Sequence, residues 1–143
     1  MQRFIKPNPT LAPLVLRVPI GIIFMIQGAQ KLSAWFSGYG LDGTALGLNS
    51  AGLAPGFFMA LFAGSCEFLG GLLIFIGLAV RPTAALLAFT TLVAVITVYS
   101  NKGLLIADSG FGLSLVAASL SLMISGAGRL SIDQLTSEQL LNR

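Results

Sequence analysis

One acidic residue stands inside the most apolar stretch of the chain. Glu67 lies near the middle of Phe57–Ala79, 23 residues that hold no other charge. A carboxyl group at the centre of a bilayer costs at least about 2.5 kcal/mol on insertion scales, so it must face protein or water and hold a partner or a proton. An acid so placed moves protons or binds a polar ligand, or it serves as a polar contact that locks helices together. Its candidate partners lie in the first apolar stretch. Gln27, Gln30 and Lys31 are spaced i, i+3, i+4 and so share one helical face. Two readings of Lys31 stand. Its ammonium group snorkels to the far headgroups, or the polar stripe turns inward and forms part of a site. Arg17 lies near the opposite end of the same helix, where it too can reach headgroups. If the site is chemical, Glu67 accepts and delivers the proton. Lys31, Gln27 and Arg17 then bind an anionic or carbonyl oxygen of the ligand.

Cys66 adjoins Glu67 in sequence. Adjacent residues of a helix point about 100° apart, and a buried cysteine ordinarily packs as a small apolar group. It is the only cysteine, and the chain has no histidine. An intramolecular disulfide, a dithiol redox pair, histidine-ligated haem and a histidine-containing zinc site are therefore excluded for this chain alone. No metal site and no intrinsic cofactor are expected. A redox role would draw on a diffusible quinone or on a cofactor held by a partner.

The elements that must position these residues follow from composition. The 143 residues are 55% hydrophobic and only 9% charged, with a mean hydropathy of +0.90, where soluble domains carry roughly 25% charged residues. The net charge of +3 is spread along the chain, which gives no nucleic-acid footprint and reads instead as topology signals. About 20 apolar residues match the hydrocarbon core of a bilayer. The sequence predicts an all-α membrane protein, one domain over residues 1–143, with spans at about 14–35, 57–79, 82–99 and 110–127. The apolar run after Arg3 and Lys6 continues beyond the length of a signal peptide and lacks a small-x-small site, so it reads as the first span.

Gly64, Glu67, Gly70 and Gly71 lie close to one face of the second span, and the glycines on that face allow a neighbouring helix to approach. Arg81-Pro82 is expected to form the tight turn into the third span. The glycine-rich loop Ser37–Gly56 keeps Leu41, Leu46, Leu48 and Leu53, which predicts a short interfacial helix from Thr44 to Gly52 that caps the bundle. Trp35 and Phe36 suit an interfacial belt, and Tyr39 and Asp42 could line an outer opening. The tail from Arg129 to Arg143 reads as an amphipathic helix with Ser131 as its cap. Arg3, Lys6, Arg17, Arg81, Arg129 and Arg143 fall on the side of the termini against Lys31 and Lys102 on the other, which places both termini in the cytoplasm.

A set of separated residues completes the picture. Arg17, Gly21, Phe24, Gly28, Lys31 and Leu32 read R-x3-G-x2-F-x3-G-x2-K-L. They are followed by Gly43-Thr44, by Glu67-x2-Gly70-Gly71, by Gly77 and Arg81, and by Gly126-x-Gly128-Arg129-x-Ser131-x-Asp133. This combination resembles the DoxX family of small four-helix bacterial inner-membrane proteins, from about Leu11 to Leu135. The resemblance implies a four-helix membrane bundle. It also implies redox company, since the family is named after a subunit of a thiosulfate:quinone oxidoreductase and another relative works beside thiol-metabolising and superoxide-detoxifying enzymes. Three functions follow as expectations. The first is a subunit or accessory of a quinone-linked redox complex in the inner membrane. The second is a non-enzymatic scaffold, attached to a second copy or to a membrane redox partner. The third is a small proton-coupled transporter, for which the chain shows no inverted repeat.

Overall fold

The computed structural model of this protein describes residues 11–99, 107–128 and 131–133, with the backbone alone at 98–99 and 107–109. Among the described residues the chain is all-helical. Helix α1 runs Ala12–Ser33, a 3-10 turn follows at Trp35–Ser37, and α2 runs Gly40–Ser50. Helices α3, α4 and α5 run Gly56–Ile76, Val80–Tyr99 and Ala107–Ser125. Three of them are long and apolar enough to cross a membrane: α1, α3 and Val80–Thr97 of α4, with mean hydropathies of 1.7, 2.0 and 1.6. The apolar part of α5, Gly110–Ser125, is shorter. The amino-terminal lead-in, Lys102 and all but residues 131–133 of the tail helix expected over Arg129–Arg143 lie outside the described residues, as do the side chains of Tyr99 and Asp108.

Glycine sets the main contact. Helices α1 and α3 run antiparallel and touch backbone to backbone at two places. A Cβ on Gly21 would lie 2.8 Å from the Gly71 carbonyl, and a Cβ on Gly28 would lie 2.7 Å from the Gly64 carbonyl. The seven-residue interval between the two glycines on each helix keeps both contacts on one seam. Gly70 faces the other way, against Leu87 of α4, and α4 packs chiefly on α5. Between the pairs lies a core that includes Ile20, Phe24, Ile74, Leu87, Leu115 and Leu122. The outer faces are as apolar as the core. Phe58, Phe62, Leu69, Phe89 and Ile124 are all exposed, a pattern that suits lipid as the surrounding solvent.

The spans lie within three residues of the sequence reading at each end, and two connections differ from it in which residues make them. The turn between α3 and α4 is Gly77–Ala79, and Arg81 and Pro82 belong to the first turn of α4. Gly77 adopts φ +77° and closes α3, with Leu78 N–H bonded to Leu73 O at 2.9 Å. Proline was correctly a helix-start residue, but the chain reverses at the glycine. The loop helix starts at Gly40 rather than Thr44 and ends at Ser50 rather than Gly52. Gly40 tolerates the left-handed φ of +66° where α2 begins, and Asn49 Oδ1 accepts from Gly56 N at 2.7 Å, which ties the end of α2 to the start of α3.

Candidate functional site

Lys31 and Glu67 meet. Lys31 Nζ donates to Glu67 Oε1 in an ion pair. The geometry follows from helix stereochemistry. Side chains lean towards the amino terminus of their own helix. Lys31 stands near the carboxyl end of α1 and so leans back into the bundle. Glu67 stands on antiparallel α3 and leans the opposite way, and the Gly28–Gly64 contact holds the two backbones close enough for the side chains to join. Of the two readings of Lys31, the inward one holds. The Glu67 side chain is 2% exposed and that of Lys31 is 28% exposed.

The pair forms part of the wall of a cavity of about 730 Å³. Helices α1, α3 and α4 contribute Gln27, Gln30, Ala63, Thr90 and Ala94, while α2 and the turn before it close the end with Tyr39, Thr44 and Leu48. The lining is mainly apolar with a few convergent polar groups, the usual character of a small-molecule site. Glu67 Oε2 is buried and, among the described residues, has no hydrogen-bond donor. Gln27 lies on the wall as the helical spacing suggested. Gln30 is on the wall too, with its amide turned to the elbow after α1, where its Nε2 donates to Phe36 O at 3.0 Å. That bond braces a segment in which Ala34, Phe36 and Ser37 all have positive φ. Thr90 bonds its own helix, Oγ1 to Leu87 O at 3.1 Å. Cys66 is half-buried.

Arg17 does not join this cluster. It is buried at the other end of the bundle, where Nη1 donates to Ala127 O at 2.8 Å. The headgroup-seeking role expected of it gives way to packing, because Gly77 leaves it room: a Cβ there would lie 2.3 Å from Nη1. Ser131 is buried in the same place. Asp133, two residues on, was not singled out for a role. Its Oδ1 accepts from Ala79 N at 2.8 Å and its Oδ2 from Val80 N at 3.1 Å, so it caps α4 from across the chain. The scattered residues of the sequence pattern thus gather into two groups. Lys31, Gly28 and Glu67 hold the cavity end, and Arg17, Gly77, Ser131 and Asp133 hold the end where the carboxyl-terminal segment returns.

The sequence profile of the DoxX family matches residues 12–100, which include both members of the ion pair. Over 123 residues the chain is 35% identical to a Bacillus subtilis (strain 168) protein named "Putative oxidoreductase CatD", with 86% of this chain and 85% of that protein covered. No solved structure matches the chain.

Proposed function

Because this chain belongs to the DoxX family, we propose that it is a membrane subunit or accessory of a quinone-linked oxidoreductase system, and that the cavity beside Lys31 and Glu67 receives the quinone ring. The observation that carries this reading is the pairing of a buried carboxylate with an ammonium group on the wall of a cavity of about 730 Å³. A ring of quinone size fits that volume, and the apolar lining suits its body. Quinone chemistry moves protons with electrons, and Glu67, with one oxygen still without a donor, is placed to exchange one. The oxidoreductase name of the Bacillus subtilis relative supports the same reading.

In this reading α1, α3, α4 and α5 are four spans, α2 lies at the interface, and Trp35, Phe36 and Tyr39 belong to the outer aromatic belt. Both termini face the cytoplasm, so the cavity opens on the outer side of the bacterial inner membrane. The site residues are Glu67 as proton acceptor and donor and Lys31 and Gln27 as ligand contacts. Arg17, buried at the far end, serves the fold. In proteoliposomes with the donor enzyme and a quinone, Glu67→Gln is expected to abolish turnover while leaving the protein folded. Undiminished turnover removes Glu67 from the mechanism.

A scaffold reading has one observation in its favour, since the Lys31–Glu67 pair joins α1 to α3 and polar contacts of this kind tie membrane helices together. It predicts that Glu67→Gln weakens retention of a partner or a second copy and leaves no change in turnover.

A further inference from the structure

The polarity of the cavity at the ion pair is opposite to what the basic residues alone suggest. Lys31 and Arg17 in the first span point to an anion. In the fold Arg17 donates to Ala127 O at the other end of the bundle, and Lys31 donates to Glu67 Oε1. Among the described residues the group left to be satisfied is an acceptor, Glu67 Oε2; it is closed to water on a side chain 2% exposed, and a ligand in the cavity that Glu67 lines reaches it as the carboxylate turns outward. Lys31 is 28% exposed, so its remaining N–H groups can reach water. A buried acceptor without a donor carries its full desolvation cost, whereas a donor that reaches water does not.

We infer that the cavity selects an uncharged amphiphile that presents a hydroxyl donor to Glu67 Oε2, and disfavours anions and ligands that offer only acceptors. The inference rests on the cavity being the ligand site proposed above and fixes which face of the ligand it reads. A phenol or dihydroxy ring donates its O–H to Oε2 and lays its apolar body along the wall between Ala63 and Ala94. A carboxylate or a lone carbonyl sets oxygen against oxygen at that point. The charge of the pair is balanced internally, so a neutral ligand enters without a counterion.

The rule extends to a reversal. In Glu67→Gln the Lys31 ammonium group holds the amide carbonyl, and the amide N–H2 then faces the cavity. The variant offers a donor where the native protein offers an acceptor, and its preference moves to carbonyl ligands.

The test is equilibrium binding to the full chain in nanodiscs, with empty nanodiscs correcting for partition. The probes are para-decylphenol, its methyl ether para-decylanisole, decanoate, and decylbenzoquinone in its oxidised and reduced forms. The native protein is expected to bind the phenol about 10-fold or more tighter than the ether and the decanoate. It should prefer the reduced ring to the oxidised one, and Glu67→Gln should erase or invert both preferences. Equal binding of phenol and ether, tighter binding of decanoate, or a preference unchanged in Glu67→Gln overturns the inference. Binding of both ring forms without preference overturns it while leaving the quinone reading standing. A phenol preference with no binding of either ring form supports it and removes the quinone reading.

Discussion

At the scale of single residues, Lys31 and Glu67 are coupled by burial. The carboxylate is inside the bundle, and removing its partner leaves an uncompensated charge, a change that costs about 3–5 kcal/mol in buried pairs. Lys31→Met is therefore expected to lower thermal stability in detergent by more than Glu67→Gln does, since the amide carries no charge to strand. The double variant Lys31→Met with Glu67→Leu should recover most of the loss, because two apolar groups of similar volume leave nothing unpaired. Melting curves of Lys31→Met, Glu67→Leu and this double variant check this, and additive losses would show that the two side chains do not interact. Much of this was legible from sequence. Glu67 in a 23-residue apolar stretch must face protein or water, and the i, i+3, i+4 stripe offers candidate partners. The choice between inward and snorkelling Lys31 was not legible, because it depends on how close α3 approaches α1.

At the scale of elements, that approach belongs to glycine. A Cβ on Gly28 meets backbone atoms of α3 at 2.4–2.7 Å, and backbone cannot move aside without parting the helices. Gly28→Val is expected to separate α1 from α3 and lose the folded protein, or at least several kcal/mol of stability. Gly47 in α2 has nothing within 4 Å of the same position, so Gly47→Ala should be neutral or stabilise by about 0.5–1 kcal/mol through the unfolded chain and helix propensity. Thermal unfolding of the two variants side by side tests the contrast. Asp133→Ala removes two acceptors from the start of α4 and should cost about 1 kcal/mol, read as a drop in melting temperature that Asp133→Asn partly restores. The sequence showed Gly64, Gly70 and Gly71 on one face. It could not show that Gly71 and Gly64 serve α1 while Gly70 serves α4, nor that Asp133 reaches the start of α4, since both depend on contacts between residues far apart in the chain.

At the scale of the whole molecule, the two ends of the bundle do different work. One end is closed by the carboxyl-terminal return around Arg17, Gly77 and Asp133. The other carries the cavity under α2. The proposed topology puts the cavity end outside. In a Cys66→Ser background, Tyr39→Cys is expected to react with an impermeant maleimide added to intact spheroplasts, because Tyr39 is 88% exposed. Labelling only after lysis would invert the orientation and turn the cavity towards the cytoplasm. Apolar composition made the membrane setting and the long helices plain. The cavity was not legible, because its walls include Ala63 and Ala94, residues without any chemical signature of their own.

In the proposed function this cavity holds a quinone-type ligand against Glu67. Native mass spectrometry of the protein extracted with its lipids is the measurement to make, with Ala63→Trp as the comparison, since an indole at that point of the wall takes up space beside Glu67 while both charged residues stay in the chain. A quinone-class ligand is expected to be retained by the native protein and absent from a folded Ala63→Trp variant. A native protein that carries no such ligand, or a variant that retains it equally, would contradict the claim and leave the Lys31–Glu67 pair as a contact between helices.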